Sequence, residues 1–147
     1  MQRFSLTDTA MILIDHQVGT NTWAATTPLE LLRRNVIILA KFAIGTGMPL
    51  VLTSSQETNT NVQGPLMPEL ADIAPEAFAA RVKRTGVVNA WDDEAFAAAC
   101  RNTGGDHGRL HGPLCQRNVR QSLLDISVPM GGGWTFEDAE AARYSPS

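Results

Sequence analysis

Two cysteines, Cys100 and Cys115, are all that the chain contains. They cannot form a disulfide framework, and in a reducing compartment they are free thiols or members of a site. Runs of like charge are missing too. The 12 basic and 15 acidic side chains, net -3, are scattered, so neither a nucleic-acid footprint nor a polybasic membrane patch is expected. Long apolar runs are equally absent. Residues 1–17 hold one arginine and a short apolar run, Ala10 to Ile14, far less than a signal-peptide core or a membrane span needs. The absences together predict a cytoplasmic protein whose partners are small molecules or proteins, with no nucleic acid and no membrane.

What is present suffices for one core, since 147 residues at 44% hydrophobic content lie within the size of a single domain. Ala10 to Ile14 followed by Asp15-His16-Gln17 suits a strand buried on both faces of a parallel sheet, with Asp15 at its carboxyl end. Thr27-Pro28-Leu29-Glu30 has capping-box spacing and a proline at the first helical position. A helix is therefore predicted over about residues 28–44, with Leu32, Val36, Leu39 and Ala43 as its inward stripe and Gly45, Gly47 and Pro49 ending it.

Leu50 to Thr53 predicts a second strand, and Ser54 to Pro68 a long polar loop of the kind that forms lids or interfaces. Ala79 to Thr85 predicts a third strand ending in Lys83-Arg84, and Asp92 to Cys100 a helix that packs through Phe96 and Cys100. The order strand, helix, strand, loop, strand, helix favours an open α/β sheet with helices on its faces. After Gly105 the composition changes. Gly108, Gly112, Pro113, Pro129 and Gly131 to Gly133 interrupt every candidate element, and no further buried strand is expected.

In open parallel sheets ligands bind beyond the carboxyl ends of the strands, which is where Asp15 and the pair Lys83-Arg84 are predicted to lie. A carboxylate beside a cation supplies a base and electrostatic stabilisation. Four segments then carry a resemblance: I-L-I-D-H-Q at 12–17, T-S-S-Q-E-T at 53–58, G-P-L-M-P-E-L at 64–70 and R-T-G-V-V-N-A-W-D-D at 84–93. Over about residues 8–104 the chain resembles the isochorismatase-like cysteine hydrolases, specifically the YcaC-type subgroup.

The resemblance implies a Rossmann-like three-layer α/β/α fold with a parallel-rich sheet, incomplete after residue 104. It also implies a homo-oligomer without cofactor or metal, acting on a small amide, ester or vinyl-ether-like substrate. It places Asp15 as base, Lys83 or Arg84 as the cation, and His16, Gln17, Asn89 and Trp91 around the substrate. The family's nucleophile stands in a G-x-x-T-[DE]-x-C-V turn, where a helix amino terminus lowers the thiol pKa. No such turn occurs in this chain. Cys115 lies near the expected place, between His-Gly-Pro-Leu and Gln-Arg-Asn.

Residues 1–104 are therefore read as the amino-terminal part of a hydrolase domain and 105–147 as a poorly ordered tail outside the family, out of frame with its ancestral gene. Shifting Gly105 to Gln116 forward by one base permits I-M-G-V-S-T-D-x-C-V, with the motif in the correct order.

Plainer readings apply elsewhere. Cys100 fits a small core residue on a helix stripe. Asp92, Asp93 and Glu94 complement a helix dipole. His16 fits a hydrogen-bonded support. Ser54 and Ser55 lack a Gly-x-Ser-x-Gly elbow. Cys100, His107, His111 and Cys115 do not form a zinc set, because the glycines between them oppose the helix that His-x-x-x-His requires. The rival from another class is a non-catalytic binding or assembly protein with the same fold.

Overall fold

The computed structural model describes residues 6, 9–24, 27–59, 61–87 and 89–104, with the backbone alone at 107–111 and 134–135. The central strand, β1 (Thr9–Ile14), is buried along its whole length. It pairs in parallel with β2 (Leu50–Ser55), Ile14 opposite Thr53, and β2 pairs in parallel with β3 (Val82–Arg84), Ser55 opposite Arg84.

Side chains alternate along a strand, so β1 supplies two cores. Met11 and Leu13 join Leu32, Val36, Ala40, Ala43 and Leu52 beneath α1 (Leu29–Thr46) and α2 (Glu69–Ile73). Ile12 and Ile14 join Trp91, Phe96, Ala97 and Cys100 beneath α4 (Glu94–Arg101). Each fully buried Ile or Leu stabilises the fold by roughly 1.5–3 kcal/mol. The fold is thus a three-layer α/β/α arrangement with a parallel-rich sheet. Among the described residues, no helix is long and apolar enough to cross a membrane.

Several elements depart from the sequence expectation. Thr27 does not cap α1. The cap position falls on Pro28, whose ψ of 135° keeps it extended and starts the helix one residue later, and no side chain caps it. Glu30 pairs with Arg33 at 3.0 Å instead of closing a capping box. Gly45 is helical, and the stop belongs to Gly47, whose φ of 70° is a left-handed conformation that glycine adopts without steric cost.

Residues 75–79, within and just before the expected third strand, form α3 (Pro75–Ala79). Pro75 opens this helix at a position where its missing N–H costs nothing, and β3 shrinks to Val82–Arg84.

The sheet also continues past residue 104. β4 (His107–His111) runs parallel to β1, and β5 (Trp134–Thr135) runs antiparallel to β4, giving the order β3-β2-β1-β4-β5. Backbone pairing explains how a strand forms where no apolar pattern announced one. The edge of β1 presents N–H and C=O groups that an extended segment satisfies whatever its side chains. His107 and His111 stand at opposite ends of β4, about 13 Å apart along a strand. Cys115 and most of the expected tail lie outside the described residues.

Candidate functional site

At the carboxyl ends of β1, β2 and β3 the backbone leaves regular geometry at two places. Asp15 has φ 55° and Gln56 has φ 47°, left-handed values that cost a residue with a Cβ about 1 kcal/mol. Such strain persists only where surrounding contacts fix it, and it clusters at functional sites. Asp15 N–H still donates to the Thr53 carbonyl at 2.9 Å, so the turn lifts the aspartate out of the strand without breaking that rung. Gly86, at φ 114°, abuts the Gln56 side chain where any Cβ would collide with it.

Arg84 reaches across two strands to Asp15. Its Nη2 lies 2.5 Å from both carboxylate oxygens, its Nε donates to Thr53 Oγ1 at 3.1 Å, and its Nη1 donates to the Val87 carbonyl at 2.8 Å. The Arg84 side chain is 1% exposed and that of Asp15 is 15% exposed. Burial raises the Asp15 pKa above the ordinary aspartate value, and the charge and hydrogen bond of Arg84 recover only part of that rise. The result is a mostly covered carboxylate with a hydrogen-bonded guanidinium behind it, an arrangement suited to accepting a proton.

Lys83 points the other way. Its side chain is 61% exposed and its Nζ lies 3.5 Å from Glu57. Glu57 also takes a paired contact from Arg81, at 2.6 Å from Nε and 3.1 Å from Nη2. The geometry therefore brings Arg84 to Asp15 and leaves Lys83 in a separate charged cluster.

Gln17 is fully buried, and its amide is engaged by backbone. Nε2 donates to the Ser55 carbonyl at 2.9 Å and to the Gly64 carbonyl, while Oε1 accepts from Ser55 N–H at 2.9 Å. This reciprocal pair with Ser55 reproduces a strand rung beyond the point where Asp15 leaves the strand, and it fastens the loop after β2. Backbone bonds from Val18 to Pro65, Gly19 to Gln63 and Met67 to His16 complete the attachment. The segment read as a lid is tied to the sheet. The His16 side chain is fully buried.

Asn89 caps the short 3-10 turn Ala90–Asp92, its Oδ1 accepting from Trp91 N–H at 3.2 Å. Trp91 is 6% exposed and packs edge-on to Phe96, ring centres 5.8 Å apart. Asp93 caps α4 through Phe96 N–H at 3.0 Å. The Cys100 thiol is buried and pushed up to about 12 by desolvation, which makes it unreactive at neutral pH. Sequence reasoning missed Thr53, Val87 and Ser55. The one available signal was Thr53 itself, a hydroxyl in the apolar run Leu50-Val51-Leu52.

No family model matches the sequence. The probable hydrolase YcaC of Escherichia coli strain K12 is 36% identical over 102 residues, 69% of this chain and 47% of that protein. The chain thus spans about half the length of this curated relative. Among solved structures, YcaC from Pseudomonas aeruginosa with hexane-2,5-diol and covalent acrylamide is 31% identical, with a TM-score of 0.74 over 97% of this chain and 73% of that one. The Escherichia coli YcaC gene product, an octameric hydrolase of unknown specificity, is 30% identical, with a TM-score of 0.75 over 97% of this chain and 72% of that one.

Proposed function

This chain belongs to the YcaC-type isochorismatase-like hydrolases, and from that premise we propose that its Asp15 site takes a small amide, ester or vinyl-ether-like substrate. The observation that carries the reading is the partly exposed Asp15 carboxylate held against buried Arg84 at the end of the central strand. Burial brings a carboxylate base closer to neutral pH, where proton transfer is better matched.

For the nucleophile's place the chain offers Cys115, which stands outside the family's T-[DE]-x-C-V turn. It follows the end of β4 by four residues, and β4 is parallel to β1 with His111 opposite Leu13. For an amide, Asp15 takes the thiol proton and sulfur adds to the carbonyl carbon. The carbon–nitrogen bond then breaks as the proton passes to the leaving nitrogen. Water, deprotonated by Asp15, next cleaves the thioester and frees the acid and the thiol. Arg84 acts through Asp15, the group that its Nη2 holds. Gln17, Asn89 and Trp91 support the walls of the site.

The acrylamide adduct of the Pseudomonas aeruginosa relative supports a pocket for small amides and names a probe. Incubation with acrylamide followed by peptide mass spectrometry is expected to label Cys115 and spare Cys100, and labelling should abolish turnover of small amides. Labelling of Cys100 ahead of Cys115 would remove Cys115 from the nucleophile's place. The missing T-[DE]-x-C-V turn favours a second reading, a binding protein with the same pocket. Amide binding without turnover, whatever the state of Cys115, would select it.

The octameric Escherichia coli relative supports a homo-oligomer. Leu31, Ile38 and Phe42, 37%, 55% and 49% exposed, form an apolar stripe on the outward face of α1, opposite Leu32, Val36, Ala40 and Ala43, and a second copy of this chain is the partner proposed for it. Ile38→Glu should lower the mass seen in sedimentation. An unchanged mass would exclude the stripe from the interface.

A further inference from the structure

Three adjacent strands are linked side chain to side chain at one level of the sheet. Thr53 of β2 donates its hydroxyl hydrogen to the Val82 carbonyl of β3 at 2.9 Å. With that single hydrogen committed, its oxygen has only lone pairs left to offer, and Arg84 Nε approaches it at 3.1 Å. Arg84 in turn meets Asp15, just beyond the end of β1, at 2.5 Å. Thr53 is fully buried and the Arg84 side chain is 1% exposed, so the bond between them acts where solvent does not replace it.

A free arginine side chain has many rotamers, and a Coulombic attraction alone does not select the one that presents Nη2 to both oxygens of Asp15. Two fixed acceptors on the same guanidinium, Thr53 Oγ1 and the Val87 carbonyl, do select it. We infer that Thr53 is a positioning residue of the site: its hydroxyl, locked by the Val82 carbonyl, aims Arg84 at Asp15 and so sets how strongly Asp15 holds its proton.

Charged groups around Asp15 leave few competitors for this role. Among the described residues, Arg84 is the charged side chain that perturbs Asp15. Lys83 and Arg81 are engaged by Glu57, Asp93 caps α4, and His16 follows Asp15 in the chain with its side chain buried.

The inference rests on the proposed role of Asp15 only in calling the effect catalytic positioning, and its test does not need turnover. The carboxyl carbon of Asp15 is titrated by NMR in the parent chain, Thr53→Val and Thr53→Ser. Valine keeps the shape and removes both bonds, so the Asp15 midpoint should rise by roughly half a pH unit or more as Arg84 loses its aim. Serine keeps the hydroxyl and should restore the parent midpoint to within about 0.2 units. If Thr53→Val does not fold, Thr53→Ala carries the same expectation. An unchanged midpoint in the folded valine or alanine variant overturns the inference, as does a serine variant shifted as far as valine. Failure of the functional reading looks different, with Asp15→Asn binding small amides as well as the parent.

Discussion

Lys83 and Arg84 are joined by one peptide bond and carry the same charge, yet they occupy unlike surroundings. Lys83 is 61% exposed and shares Glu57 with Arg81. Arg84 is 1% exposed and closes on a carboxylate that is itself mostly covered. The strand's alternation separates them, and burial then sets what each is worth. Lys83 itself meets Glu57 from water, where the attraction is spent largely against solvation and entropy, although Arg81 and Glu57 are 15% and 10% exposed. In the inner cluster Arg84 has left water while Asp15 keeps 15% of its side chain exposed, and Asp15, Thr53 and the Val87 carbonyl hold the guanidinium. The comparison teaches that at this edge of the sheet the depth of the cation, and not its charge, separates Lys83 from Arg84.

The strongest challenge to that contrast is to remove each cation in turn. Arg84→Leu leaves the Asp15 carboxylate without its partner and should cost about 3 kcal/mol in denaturant unfolding, as for other broken buried pairs. Lys83→Ala should cost less than about 0.5 kcal/mol. Similar losses for the two would erase the distinction.

A smaller effect sharpens it. The two carboxylates titrate in opposite senses. Burial raises Asp15 by more than Arg84 lowers it, so the native state holds that proton more tightly than the unfolded chain. Its contribution to stability is complete below the ordinary aspartate value and is lost as pH rises through the native value. For Glu57, burial raises the pKa, but the hydrogen bonds and charges of Arg81 and Lys83 outweigh it and leave it lowered. Its contribution is present above the ordinary glutamate value and is lost as pH falls through the native one. In melts between about pH 3 and pH 7, Glu57→Gln should be destabilised, by less than about 1 kcal/mol, only at the upper end. The advantage of the parent over Asp15→Asn should shrink as pH rises. Differences of the same sense for both variants would contradict the assignment.

Much of this arrangement was legible in the sequence because it rests on local pattern. The run Ala10 to Ile14 ending in Asp15, the residues Leu32, Val36 and Ala43 of the stripe, and the packing of Phe96 and Cys100 follow from periodicity and appear in the structure, whereas Leu39 of that stripe is only partly buried and Ala40 is fully buried in its stead. What escaped depends on contacts distant in the chain. The choice between Lys83 and Arg84 needs the register of β3 on β2. The roles of Thr53 and Gln17 need strands that are 31 and 38 residues apart in sequence to meet. β4 forms by backbone pairing, which leaves no apolar signature. It stands beside β1, where the one-base shift of residues 105–116 would write the family's strand and nucleophile turn. The out-of-frame origin of residues 105–147 is accordingly a proposal about the gene. A transcript whose shifted frame fails to encode T-D-x-C-V would refute it.

The central claim is that Asp15, set on Arg84 and apart from Lys83, is the group on which a small amide depends. Titration of propionamide into the parent, Lys83→Ala and Asp15→Asn chains, followed by NMR shifts with circular dichroism as a check on folding, tests it directly. The account predicts that Lys83→Ala binds within about twofold of the parent and that Asp15→Asn, with unchanged helix content, binds about tenfold more weakly, a loss near 1.4 kcal/mol. Equal binding by Asp15→Asn and the parent, or a larger loss in Lys83→Ala, would contradict it.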